Sequence, residues 1–149
     1  MTVATTPARA DAPAAHGVWL EPKSGASVAT YACAEDARKL CGRIVRVPAD
    51  GPQHDRENPD PALRGRALLG LEIVTAFSEV APQRWEGGGR HGALPGRIYL
   101  PANGDTLGDH RNRYVIAVAP DRLVISVANC SWLNCLVTSE WTRLPAAPR

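Results

Sequence analysis

Asn58-Pro59-Asp60-Pro61-Ala62-Leu63-Arg64-Gly65-Arg66-Ala67-Leu68-Leu69-Gly70-Leu71-Glu72-Ile73-Val74-Thr75-Ala76-Phe77 is the stretch whose reading decides the fold. Its first half interrupts the chain. Asp60 before Pro61 has the form of an N-cap followed by proline at the first helical position, which predicts one short helical turn over residues 61–66. Its second half changes period. Leu71, Ile73, Thr75 and Phe77 alternate with Glu72, Val74 and Ala76, the two-residue repeat of a half-buried strand.

Strand signals continue on both sides. Before the turn lie His16–Leu20, Ala26–Cys33 and Cys41–Val47, with Ser24-Gly25 as a turn and a polar loop from Pro48 to Pro59. After it come Gln83–Glu86, Gly96–Leu100, Tyr114–Ala119, Leu123–Ala128 and Leu136–Leu144. Asn103-Gly104 is the strongest hairpin dipeptide, and Thr106–Asn112 reads as loop or strand edge. The alternation is ambiguous around Trp85 and Trp141. No long amphipathic helix competes. About eight or nine short strands at regular spacing predict an all-β sandwich or barrel. The up-and-down order favours a closed antiparallel barrel, because closure removes exposed edges.

The chain has 149 residues, enough for one domain with a real core. We expect a single barrel domain over residues 16–145. The Ala-, Pro- and Thr-rich residues 1–15 form a tail or leader remnant, and residues 146–149 a second tail. Ala8-Arg9-Ala10 has the small-x-small form of a leader end, without the apolar segment that should precede it. No run of eighteen apolar residues is present, so no transmembrane helix is expected. The net charge is +2, and the arginines are interleaved with acids, so a nucleic-acid partner is not expected.

Four cysteines form two local pairs, Cys33 with Cys41 and Cys130 with Cys135. Neither has the spacing of a zinc knuckle or a redox motif, so no metal site is expected. Two disulfides between neighbours are the favoured pairing, each tying a short turn, with free buried thiols as the alternative. Disulfides imply an oxidising compartment, periplasmic or secreted. The glycine run Gly87-Gly88-Gly89-Arg90-His91-Gly92 lacks the spacing of a phosphate-binding loop and is read as a flexible connection.

In this order, Gly17-Val18-Trp19, Leu40-Cys41-Gly42-Arg43-Ile44-Val45, Asn58–Arg64 running into Leu68-Leu69-Gly70-Leu71, Gly96-Arg97-Ile98-Tyr99, and Cys135 with Trp141-Thr142-Arg143 resemble the bacterial family called domain of unknown function 2147. The resemblance spans about residues 16–144. It implies an exported protein with a lipocalin-like (calycin) barrel and no established biochemical activity. It also implies a barrel closure by Gly17, Trp19 and Arg143, in which the guanidinium lies on the indole face. The segments Gly87–Pro95 and Thr106–Arg113, and that around Ser131-Trp132-Leu133, depart from the family's pattern at loop ends.

No catalytic set is visible: no serine has a nucleophile-elbow context, and no histidine is paired by sequence with an acid and a serine. Asp60, Arg64 and Arg66 form the best polar cluster. The arginines can clamp a carboxylate or phosphate at the barrel mouth. Alternatively, Asp60 caps the turn and the arginines pair with Asp55, Glu57 or Asp60. We therefore expect a non-enzymatic binding protein, without cofactor, holding a small apolar or amphipathic ligand. Its lining would come from Leu71, Ile73, Phe77, Tyr99, Ile125 and Val127. The alternative is an envelope interaction module whose barrel is filled with side chains, with an enzyme third. Interior volume separates the first two.

Overall fold

The computed structural model describes residues 15–90, 93–109, 111–128 and 137–145. Ten strands follow in order: β1 (Gly17–Leu20), β2 (Ser27–Ala32), β3 (Lys39–Arg46), β4 (Glu72–Ala81), β5 (Arg84–Gly88), β6 (Arg97–Leu100), β7 (Asp105–Leu107), β8 (Arg113–Val118), β9 (Arg122–Val127) and β10 (Val137–Arg143). Eight of them, β1–β5 and β8–β10, close into an antiparallel barrel through the β3–β4 and β1–β10 pairings. Strands β6 and β7 form a hairpin attached to the first half of β4. The helical signal at 61–66 is realised as a single turn of 3-10 helix, Pro61–Leu63, and its N-cap Asp60 accepts a hydrogen bond from the Ala62 amide.

Strand direction assigns the connections to two ends. The β1–β2 turn, the long β3–β4 connection and the end of β5 lie at one end, called here the mouth. The β2–β3, β4–β5 and β8–β9 turns lie at the other. Strand β4 runs for ten residues and serves three neighbours: β3 along much of its length, β6 at Val74 and β5 from Ser78. Ala76, at φ +53°, sits between the last two sets of pairs, where a local bend lets one strand change partners.

The inward face is made of ladder partners. Trp19 pairs with Val28, Leu40 with Phe77, Trp85 with Ile116, Ile116 with Ile125, and Leu123 with Trp141. All of these are buried, and Trp19, Phe77, Leu123, Ile125 and Trp141 have no exposed surface. Both ambiguous tryptophans, Trp85 and Trp141, therefore point into the core, where their bulk substitutes for the many aliphatic residues that a barrel this size would otherwise need.

Cys33 and Cys41 are joined by a disulfide with Cα atoms 5.0 Å apart, stapling the β2–β3 hairpin beside the Tyr31–Cys41 pair. The expected Cys130–Cys135 bond lies outside the described residues.

Candidate functional site

The residues that organise the mouth come from the β3–β4 connection, which crosses it as a strap. Its centre is Asp55, a carboxylate with no exposed surface. One oxygen accepts hydrogen bonds from Arg66 Nε and Asn58 Nδ2, both at 2.8 Å. The other accepts from the Tyr99 hydroxyl at 2.5 Å. The Arg66 guanidinium lies over the Tyr99 ring, 5.5 Å from its centroid. Burial, followed by the hydrogen bond to Asp55, pushes the Tyr99 hydroxyl up to about 12. A buried carboxylate persists only where donors satisfy it, and here two donors come from the strap itself and the third from β6. Tyr99 thereby ties the β6–β7 hairpin to the strap. The hairpin tip is also close-packed on it: a Cβ on Gly104 would clash with the Glu57 carbonyl oxygen. Gly104, at φ +76°, is therefore required twice, by its backbone conformation and by the approach.

Among the described residues, space is found beneath the strap. Trp19, Phe77, Leu123, Ile125 and Trp141 pack through the barrel centre with no exposed surface. An inner cavity of about 20 Å³ is bounded by residues that include Val28, Ile44, Ile73, Tyr99 and Trp141, roughly the volume that admits one water. Adjoining it at the mouth is a cavity of about 210 Å³. The two share Ser24, Ala26, Ile44, Pro101 and Ala102. The outer one adds Val47, Pro48, Pro52 and Leu68 as apolar wall and His54, Arg56 and Glu57 as polar rim. Nearby, the Glu21 carboxylate is buried but satisfied by the Lys23 and Ser24 amides at 2.9 and 2.7 Å, fixing the β1–β2 turn that forms one lip.

Of the residues expected to line a ligand site, Ile73 and Tyr99 reach the inner cavity. Phe77 and Ile125 are fully buried parts of the packed core, while Leu71 and Val127 are partly buried. Asp60 and Arg64 lie on the outer surface of the strap. Arg64 Nε donates to the Asn58 carbonyl at 2.8 Å, and Arg66 is engaged with Asp55. Asp55 itself was visible in the sequence only as one possible partner for these arginines, because nothing local distinguishes it from its charged neighbours. Among the described residues, no three His, Cys, Asp or Glu side chains converge as a metal site would require, and no helix is long and apolar enough to cross a membrane.

The far end is closed by Trp19. Arg143 lies over its ring, 4.2 Å from the centroid. The guanidinium also donates to the Pro120 carbonyl at 2.7 Å. A Cβ on Gly17 would meet Arg143 Nη1 at 2.6 Å, so glycine leaves the room the guanidinium occupies. The indole N–H donates to the Thr30 hydroxyl at 2.8 Å, which in turn hydrogen-bonds the Ala15 carbonyl.

An eight-stranded antiparallel barrel with one end plugged by a Gly-x-Trp strand and a capping arginine has a lipocalin-like fold. Residues 17–110 match the model of DUF2147, described as an uncharacterized protein conserved in bacteria, and the chain belongs to that family. Among solved structures it is similar to protein HP1028 from the human pathogen Helicobacter pylori, which is described as belonging to the lipocalin family. The TM-score is 0.63 at 16% identity, over 89% of this chain and 84% of that one, which is a likeness of fold. No curated protein matches.

Proposed function

We propose that the protein is an exported, non-enzymatic binding protein that holds a small, largely apolar ligand at the barrel mouth, beneath the strap. One observation carries this reading: among the described residues, the mostly apolar cavity large enough for a small ligand, about 210 Å³, lies at the mouth, while the inner cavity adjoining it offers about 20 Å³. An apolar cavity of about 150 Å³ takes benzene, so the mouth suits a ligand of about eight non-hydrogen atoms. That is smaller than the ligands of most binding proteins, whose pockets run to roughly 300–1,000 Å³. Ala26, Ile44, Val47 and Leu68 bury its apolar part, and His54, Arg56 and Glu57 meet a polar end. Ile73 and Tyr99 form the floor. Arg56 on the rim is the cation placed to meet a ligand's negative charge. The Cys33–Cys41 disulfide supports an oxidising compartment.

A second reading, an envelope interaction module, is favoured by the packing of Trp19, Phe77, Ile125 and Trp141 through the barrel centre. Native mass spectrometry of protein isolated from its own envelope separates the two. The ligand reading predicts a retained molecule of roughly 100–150 Da that is absent from Leu68→Trp, whose indole fills the mouth. Bare protein mass in the wild type, with a protein partner in the same preparation, supports the interaction module instead.

A further inference from the structure

We propose a second binding site, for a phosphate-bearing anion, at the base of the β6–β7 hairpin. A cleft of about 400 Å³ lies there between the end of β5 and the start of β8, lined by Gly89, Arg90, Ala93, Arg111, Asn112 and Arg113. Half of that lining carries a guanidinium and none of it a carboxylate. The chain as a whole is nearly balanced, with 17 Lys and Arg against 15 Asp and Glu, so three arginines around one cleft is a local concentration of charge. Elsewhere among the described residues, Arg84 pairs with Glu86, Arg66 with Asp55, and Arg122 with Asp121 and Glu140. The acid nearest the cleft in sequence, Asp109, is taken by Arg97 at 2.9 Å. Arg90 and Arg111 form no ion pair among the described residues and are exposed.

The fold, rather than chance, brings these side chains together. Gly88 pairs with Arg113 across β5 and β8, and it has φ +81°. A Cβ there would lie 2.6 Å from the Gly108 Cα. This close crossing lets the chain leaving β7 pass against the end of β5, which puts residues 111–113 beside residues 89–90. The glycine run therefore does not cradle a phosphate with its own backbone. It makes the crossing that gathers the arginines.

Like charges at close range repel unless an anion lies between them. Guanidinium forks match phosphate oxygens in pairs, and a tetrahedral dianion can take several forks at once, which a single planar carboxylate cannot. The cleft is larger than one phosphate requires, which suits a diphosphate, a phosphate ester or a lipid headgroup. The site is separate from the mouth cavity: the mouth uses the hairpin tip at Pro101 and Ala102, and no residue lines both.

The test is calorimetry of the full chain with pyrophosphate at low salt, beside sedimentation with vesicles of phosphatidylglycerol or phosphatidylcholine. The comparison variant is Arg90→Ala combined with Arg111→Ala; both side chains are exposed, and circular dichroism checks the fold. We expect saturable binding, weakened about tenfold or more in the double variant and reduced by added salt. Arg38→Ala, in the β2–β3 turn at the other end of the barrel, leaves it unchanged. Binding of pyrophosphate identifies a soluble phosphate ligand. Retention on phosphatidylglycerol vesicles alone, lost in the double variant, identifies a lipid headgroup. Binding of neither, undiminished binding by the double variant, or tighter binding of citrate than of pyrophosphate overturns the proposal.

Discussion

Replacing Asp55 by asparagine tests the organisation of the mouth. The side chain keeps its size, but its charge goes. In the wild type three donors meet the carboxylate: Arg66 and Asn58 at 2.8 Å and Tyr99 at 2.5 Å. The amide oxygen of asparagine can still accept from Arg66 and Asn58, while its NH2 faces Tyr99, which must then turn from donor to acceptor. All three contacts can therefore survive as hydrogen bonds; those from Asn58 and Tyr99 become neutral, while that from Arg66 keeps the guanidinium's charge and loses the ion pair. A charged hydrogen bond contributes about 1.5–3 kcal/mol and a neutral one about 0.5–1.5 kcal/mol. Two such exchanges total about 2–3 kcal/mol, and loss of the Arg66 ion pair adds up to about 1 kcal/mol. Arg66 is 35% exposed and recovers part of its share in water, so the expected cost is about 3 kcal/mol. For a chain of this length that lowers the melting temperature by about 6–12 °C. If the strap opens separately from the barrel, the loss falls on the strap instead and its amides exchange faster. Calorimetry and amide hydrogen exchange over residues 53–68 read the two cases. Asp60→Asn is the control: Asp60 is exposed and caps one turn, and asparagine is an equally good N-cap. The reasoning is refuted if Asp55→Asn changes neither the melting temperature nor strap exchange, or if Asp60→Asn changes them more.

Other consequences are simpler. Tyr99 holds its proton to about 12 when folded, against 10.0 unfolded, so its contribution is complete below pH 10 and is lost as pH rises toward 12. Denaturant titrations across that range should show a shallower loss for Tyr99→Phe than for the wild type. Trp19→Ala removes the fully buried plug and the Arg143 contact and should cost about 3–5 kcal/mol; a mutant as stable as the wild type in urea would remove Trp19 from the closure. Cys33→Ser with Cys41→Ser opens a loop of sequence separation 8 and should cost about 2.5 kcal/mol, read as the same shift that a reductant produces in the wild type.

The barrel was legible because its strands are half-buried and the two-residue period survives in the sequence. Ile73, Phe77 and Ile125 carry that period, and each faces the core. The same period is silent about whether the space they face is empty. Trp85 and Trp141 fill it from strands where the alternation was ambiguous, so the cavity moved from the barrel centre to the mouth. The strap was recognised as a capped turn with arginines, yet its central residue was not. Asp55 is buried by Tyr99, 44 residues away along the chain, and no local pattern records so distant a partner. Asp60, which does carry a local signature, proved to cap the turn at the surface. The β6–β7 hairpin was announced by Asn103-Gly104, but its excursion from the barrel wall depends on backbone crossings at Gly87, Gly88, Gly96 and Gly108. A crossing between distant glycines looks, in sequence, the same as a flexible loop.

The location of the ligand is the central claim, and an amide NMR titration with a small apolar probe such as indole tests it most directly. Shift changes should gather at Ala26, Ile44, Leu68 and Ala102, around the mouth cavity, and leave Ile116, Leu123 and Ile125 in the packed core unmoved. Saturable changes centred on those core residues, or none at the mouth up to millimolar probe, would contradict it.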